Sequence, residues 1–290
     1  MLTINNLDVT FGSHRALHIN QEITFEKNDR IGIIGSNGAG KSTLIKTLLG
    51  MVPFEGKIES TITPQQMAVH LQENNYSSNV SVKTIMETML GLKVSDSQEL
   101  QQLITYFDFD SSLKKRFSKL SGGQKQRLTL IIVLMQQAEL TFLDEVSSGL
   151  DFETRQTLMT KLTDWFADKS KTLCVVSHYY DELEKLTNKL LLLHQGEVVC
   201  FGTKEALFEK YCGYSVITVE DNEQTRNHFS THRKLAAPSL VLAIACNDEA
   251  EELEIVSHCI KSNINYKRRN NDIEIMTLNA KAQEGFVDEK

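Results

Sequence analysis

The chain is poor in several features that would each announce a function. Its five cysteines, Cys174, Cys200, Cys212, Cys246 and Cys259, show no C-x-x-C spacing, which argues against a zinc site and a disulfide framework. An unpatterned odd count suits a reducing compartment, and Cys174, inside Leu173–Val176, reads as a small buried hydrophobe. No apolar run approaches the ~18 residues that a membrane-spanning helix needs. The first residues alternate like a strand rather than forming a secretory leader. A basic stripe is missing too. The formal net charge is −7, and only short clusters such as Lys114–Arg116 and Lys267–Arg269 interrupt the acidic balance, so the composition argues against nucleic acid as a partner. Internal repeats and low-complexity segments are also missing. What remains, at 290 residues with 41% hydrophobic and 24% charged residues, is an ordinary globular composition with room for one sizeable core and an appendage.

Against that plain background one segment stands out. Residues 35–43 read Gly35-Ser36-Asn37-Gly38-Ala39-Gly40-Lys41-Ser42-Thr43 directly behind the apolar run Ile31–Ile34. This is G-x-x-x-x-G-K-S/T after a strand and before a helix. The glycines permit an anion-wrapping turn and close approach of backbone N–H groups to phosphate oxygens. Lys41 is expected to reach the β- and γ-phosphates, and Ser42 to place its hydroxyl on Mg²⁺. The helix from Thr43 aims its positive end at the same point. Chance would produce the pattern in about one chain of this length per hundred, so a mere glycine turn is a poor account of it. The segment predicts a nucleoside triphosphate site.

Further along, Leu120-Ser121-Gly122-Gly123-Gln124 precedes a predicted helix over 124–137. A second helix N-terminus of this kind is a second anion site, although Ser121 could serve simply as its N-cap. Asp144-Glu145 follows the apolar strand Leu140–Leu143, which places Asp144 to hold Mg²⁺ through water. Alternating apolar strands and helices elsewhere predict an α/β fold with a mostly parallel core sheet covered on both faces. An antiparallel edge sheet is expected over 2–35 and a helical insert at about 73–137. The texture changes near Gly213. Residues 1–213 are therefore expected to form the nucleotide domain. Residues 214–290 are expected to form a small accessory α/β unit, with strands at Tyr214–Val219, Leu240–Ala245 and Asp272–Thr277, helices at Asn222–Lys234 and Glu249–Lys261, and a frayed or partner-dependent end over Asn279–Lys290.

With the phosphate loop upstream, the Leu-Ser-Gly-Gly-Gln segment resembles the signature of the ATP-binding subunits of ABC transporters, and the resemblance runs through residues 1 to about 210. It implies a P-loop ATPase whose signature covers the γ-phosphate held by a second subunit, in a head-to-tail sandwich of two like or paired subunits. It also implies that Glu145 is the base for the attacking water, that His178 in Val-Val-Ser-His is the switch histidine, and that Gln72 touches Mg²⁺ and water. By the same resemblance Asp151 crosses the dimer and Phe11 stacks on adenine, a position that a core phenylalanine would suit nearly as well. Val146 and Ala138 stand where the family usually has proline, and Asn28-Asp29 where it has Gly-Glu; these are turn differences away from the phosphates. The implied partner is an integral-membrane permease, with the chain at the cytoplasmic face of the cell membrane. The tail resembles those of bacterial drug, antibiotic and peptide exporters, and size and tail together are nearest to a Gram-positive exporter of peptide toxins such as phenol-soluble modulins. The competing reading is a soluble ABC-type ATPase acting on ribosomes or DNA. Against it stand the single cassette, the missing charged linker and the short helical insert.

Overall fold

The computed structural model describes residues 1–71, 76–167 and 171–286. The chain opens with β1 (Leu2–Phe11), β2 (His14–Ile19) and β3 (Ile23–Phe25), whose alternating burial puts Leu2, Ile4, Leu7, Leu17 and Ile19 on one covered face. Then β4 (Arg30–Ile34) runs into the phosphate loop and α1 (Lys41–Leu48). After β5 (Glu55–Ser60) and β6 (Met67–His70) come the helices α2 (Val82–Leu90), α3 (Gln98–Tyr106) and α4 (Gly122–Met135). The nucleotide half closes with β7 (Leu140–Asp144), α5 (Phe152–Ala167), β8 (Thr172–Val176), α6 (Tyr180–Leu186), β9 (Lys189–His194), β10 (Glu197–Thr203) and α7 (Lys204–Cys212).

Ten strands form one mixed sheet in the order β3-β1-β2-β10-β9-β4-β8-β7-β6, with β5 added on β1. From β9 to β6 every pairing is parallel, and β7 and β8 are buried along their whole length. Helices on both faces explain why these strands read as unbroken apolar runs. The edge strands pair antiparallel, and a single residue pair, Glu197 with His18, joins them to the parallel core. All five cysteines are free and buried, and burial pushes the Cys200 thiol up to about 12, so they pack as hydrophobes.

Beyond Gly213 the order is β11 (Ser215–Glu220), α8 (Glu223–His228), β12 (Lys234–Leu235), β13 (Val241–Cys246), α9 (Glu249–Lys261), β14 (Tyr266–Arg269) and α10 (Ile273–Gln283). The second sheet runs β12-β13-β11-β14 with every pairing antiparallel, the βαββαβ pattern of a split βαβ unit. Its two faces are sorted by residue parity. Ile217, Val219, Leu242, Ile244 and Cys246 pack with Ile255 and Cys259 of α9. Val216, Ala243 and Ala245 instead join Phe208 and Tyr211 of α7, Ile273 and Met276 of α10, and the main core itself.

Three expectations for the tail are corrected. The stretch Asp272–Thr277 is the start of α10, not a strand: Asp272 caps it by accepting from the Ile275 N–H at 3.0 Å, and Ile273, Ile275, Met276 and Ala280 are buried together. The third long strand is Tyr266–Arg269, whose four exposed residues carry no apolar alternation. The helix expected over Asn222–Lys234 ends at His228. Nor is the end frayed up to residue 286, because Asn279 and Ala280 are buried and Phe286 meets the His194 ring at 5.5 Å. Because α10 belongs to the shared core, Met276→Ala is expected to cost about 3 kcal/mol. Urea unfolding followed by two probes should still show one transition for the whole chain; two separate transitions would contradict the shared core.

Candidate functional site

The phosphate loop takes its shape from two close approaches. A Cβ on Gly35 would sit 2.6 Å from the Leu193 carbonyl oxygen, and one on Gly40, at φ +99°, would sit 2.5 Å from Leu17 Cδ2. Both positions therefore demand glycine. Lys41 is 7% exposed, and its ammonium donates to the Gly35 and Ser36 carbonyls at 2.7 and 3.0 Å, which curls it over the loop. Burial lowers its pKa, while the facing Glu145 and Asp144 carboxylates act in the opposite direction.

Opposite the loop, β7 delivers the two acids. The Ser42 hydroxyl donates to Asp144 Oδ2 at 3.2 Å, so a hydroxyl and a carboxylate oxygen converge as a hard divalent cation requires. Burial raises the Asp144 pKa, and the nearby Glu145 carboxylate adds to the rise. A bound cation would favour the charged form instead, so the donor set and its electrostatics both fit Mg²⁺. Glu145 sits at φ +50°, a strained region for a residue with a side chain. Its N–H donates to the Val176 carbonyl at 2.9 Å, and its Oε1 lies 2.9 Å from Nε2 of His178. The turn between β7 and α5 thus brings the expected base and the expected switch histidine into direct contact.

Lys41, Ser42 and Glu145 line a cavity of about 470 Å³ that is bounded also by Phe11, His14, Ala16 and Asn37 to Thr43. Phe11 is 51% exposed at the end of β1, so it is not a core residue and its ring is free to cover a ligand. His14 and Ala16 carried no sequence signal; the β1–β2 hairpin alone brings them here. A cavity of similar size, about 440 Å³, lies beside Asp8, Arg15 and Phe54 but holds none of the loop's backbone.

Other expected residues lie apart. The signature turn forms a reciprocal cap on α4, Ser121 Oγ accepting from the Gln124 N–H at 3.3 Å and Gln124 Oε1 accepting from the Ser121 N–H at 3.1 Å. Ser121 and Gly122 are exposed, and none of residues 121–124 lines the phosphate-loop cavity. Asp151 caps the start of α5, accepting from the Thr154 N–H and hydroxyl at 3.0 and 2.8 Å, and those bonds hold its carboxyl low. Gln72 lies outside the described residues, two positions past the end of β6. Val146, where proline was expected, is buried in the main core.

His70, at the end of β6, went unremarked in the sequence. It is fully buried, and burial outweighs the opposing contacts with Gln126 and the Asp144 backbone to push its pKa from 6.5 down to about 4. A base whose folded pKa is depressed contributes stability that is present above its unfolded value and lost as pH falls through the folded one. Wild-type stability should therefore drop between pH 6.5 and about 4, by on the order of 3 kcal/mol from this group. His70→Met should flatten that limb in urea titrations across pH, and an unchanged limb would exclude His70 as its cause.

The ABC transporter family matches residues 19–148. The manganese transport system ATP-binding protein MntB of Bacillus subtilis is 34% identical over 195 residues, 61% of this chain and 77% of that one. The Nod factor export ATP-binding protein I of Bradyrhizobium diazoefficiens is 28% identical over 242 residues, 77% of this chain and 79% of that one. Among solved structures, a dimeric bacterial ABC transporter cassette, MJ0796, superposes with a TM-score of 0.63 at 19% identity, over 70% of this chain and 98% of that one; it shares the fold.

Proposed function

This chain belongs to the ATP-binding family of ABC transporters, an ATPase that uses ATP with Mg²⁺, and we propose that it is the motor subunit driving a separate membrane permease in export. The observation that carries the motor reading is the contact of Glu145 with His178 beside Lys41, Ser42 and Asp144. Lys41 faces the β- and γ-phosphates and offsets their charge. Ser42 and Asp144 would hold Mg²⁺, with Gln72, and the ion supplies neutralisation of phosphate charge when bound. Glu145 takes the proton of the attacking water, and the 2.9 Å contact with His178 holds its carboxylate in place. Phe11 covers the base. The turn Ser121 to Gln124, outside its own cavity, offers the Gly122 and Gly123 N–H groups to the nucleotide of a second subunit, and Asp151 reaches across the same interface.

Among the described residues no helix is long and apolar enough to cross a membrane, which suits a subunit docked at the cytoplasmic face. Export is favoured by the Nod factor export relative. Its match spans more of this chain than residues 1–213 contain and so extends into the tail. A peptide, toxin or drug is the cargo class we propose. Residues 1–213 form the nucleotide-binding part and 214–290 an accessory part. The test is affinity purification of tagged, full-length protein from detergent-solubilised cells. Recovery of a polytopic membrane protein supports the transporter reading. Recovery of ribosomes or DNA in its place would favour the soluble ATPase.

A further inference from the structure

A second hollow, of about 220 Å³, shares no lining residue with the nucleotide cavity. Its walls come from four places in the sequence: Gly35 and Ser36 at the shoulder of the loop, Ser177 and His178 of the switch segment, Leu192 of β9, and Thr277 and Lys281 of α10. On its α5–α6 side the switch segment is already held. Ser177 Oγ donates to Glu182 at 2.6 Å and accepts from the Tyr179 N–H at 3.0 Å. The Arg155 guanidinium stacks 3.9 Å from the centre of the Tyr179 ring. The remaining wall is α10. Thr277 is 3% exposed, and its hydroxyl has no hydrogen-bond partner among the described residues, an arrangement unfavourable in a purely structural helix. Lys281 brings a cation to the shoulder of a loop built for phosphate.

We propose that α10 is a working part of the hydrolytic switch, with Lys281 and Thr277 as positioning residues that set the Ser177–His178 segment against the phosphate loop, so that the tail's seating governs turnover. The proposal rests on the reading of Glu145 and His178 given above. Placing α10 in the shared core ties the orientation of this wall to the second sheet, and any displacement of that sheet is transmitted to His178. Thr277 and Lys281, one helical turn apart, present their side chains to the same hollow.

Full-length variants assayed for steady-state hydrolysis against ATP concentration test the idea. Lys281→Glu, which reverses the charge beside His178 and the loop, is expected to lower kcat about tenfold while KM stays within about twofold. Lys281→Arg should keep kcat within about twofold, and Lys281→Met, which keeps the stem and drops the charge, should lower it about threefold with unchanged thermal melting. An unaltered kcat in Lys281→Glu overturns the proposal. So does equal damage from Lys281→Arg, or a rise in KM in step with the loss of kcat. Glu145→Gln run alongside separates the two readings. If Glu145→Gln is inactive and Lys281→Glu is normal, only the role of α10 fails; if Glu145→Gln turns over normally, the site reading fails first.

Discussion

Glu145→Gln is expected to reduce ATP turnover by about three orders of magnitude, the middle of the range for loss of a positioned general base, while ATP binding persists. The amide keeps the size of the carboxylate and leaves Lys41, Ser42 and Asp144 in place, so the nucleotide cavity is unchanged in shape. It also removes a negative charge that faces the phosphates. Bound ATP should therefore accumulate unhydrolysed and hold two subunits together. The measurement is size-exclusion chromatography with and without ATP, paired with phosphate release. Wild-type turnover by the variant would remove Glu145 from the mechanism. A strictly monomeric variant under saturating ATP would contradict the shared-site reading of residues 121–124.

Lys41→Ala is expected to weaken ATP binding about a hundredfold, the scale of losing a charge-assisted contact in a largely buried place. Two effects add. The cation proposed to meet the β- and γ-phosphates is gone, and Asp144 and Glu145, which both face Lys41, are left with less compensating charge and repel the incoming anion. Binding is read by fluorescence of a nucleotide analogue, with thermal melting to verify that the fold is intact. Unchanged affinity in a folded variant would sink the phosphate-loop assignment.

The difference between what could and could not be read is physical. The phosphate loop was legible because its motif is contiguous, residues 35–43, although the close approaches that demand glycine at Gly35 and Gly40 come from Leu193 and Leu17. The parallel core strands were legible because burial on both faces leaves unbroken apolar runs such as Leu190–Leu193. Phe11 was ambiguous because a sequence gives a phenylalanine no side, and only its exposure beside the loop decides the matter. The β14 strand was invisible because Tyr266–Arg269 pair by backbone alone. The segment at Asp272–Thr277 misled because Ile273, Ile275 and Thr277 alternate like a strand, whereas an Asp272 cap and a core below make it a helix. His14, Ala16 and His70 had no motif to mark them.

By itself the sequence determined that this chain is a phosphate-loop ATPase of a doubly covered α/β fold, since those properties reside in short segments whose side-chain types and spacing dictate local geometry. Only the tertiary structure decided that Glu145 touches His178, that residues 121–124 stand away from the phosphate-loop cavity, and that α10 shares a hollow with Ser177 and His178. Contacts between residues far apart in the sequence depend on how sheets and helices pack, and no local pattern encodes that packing.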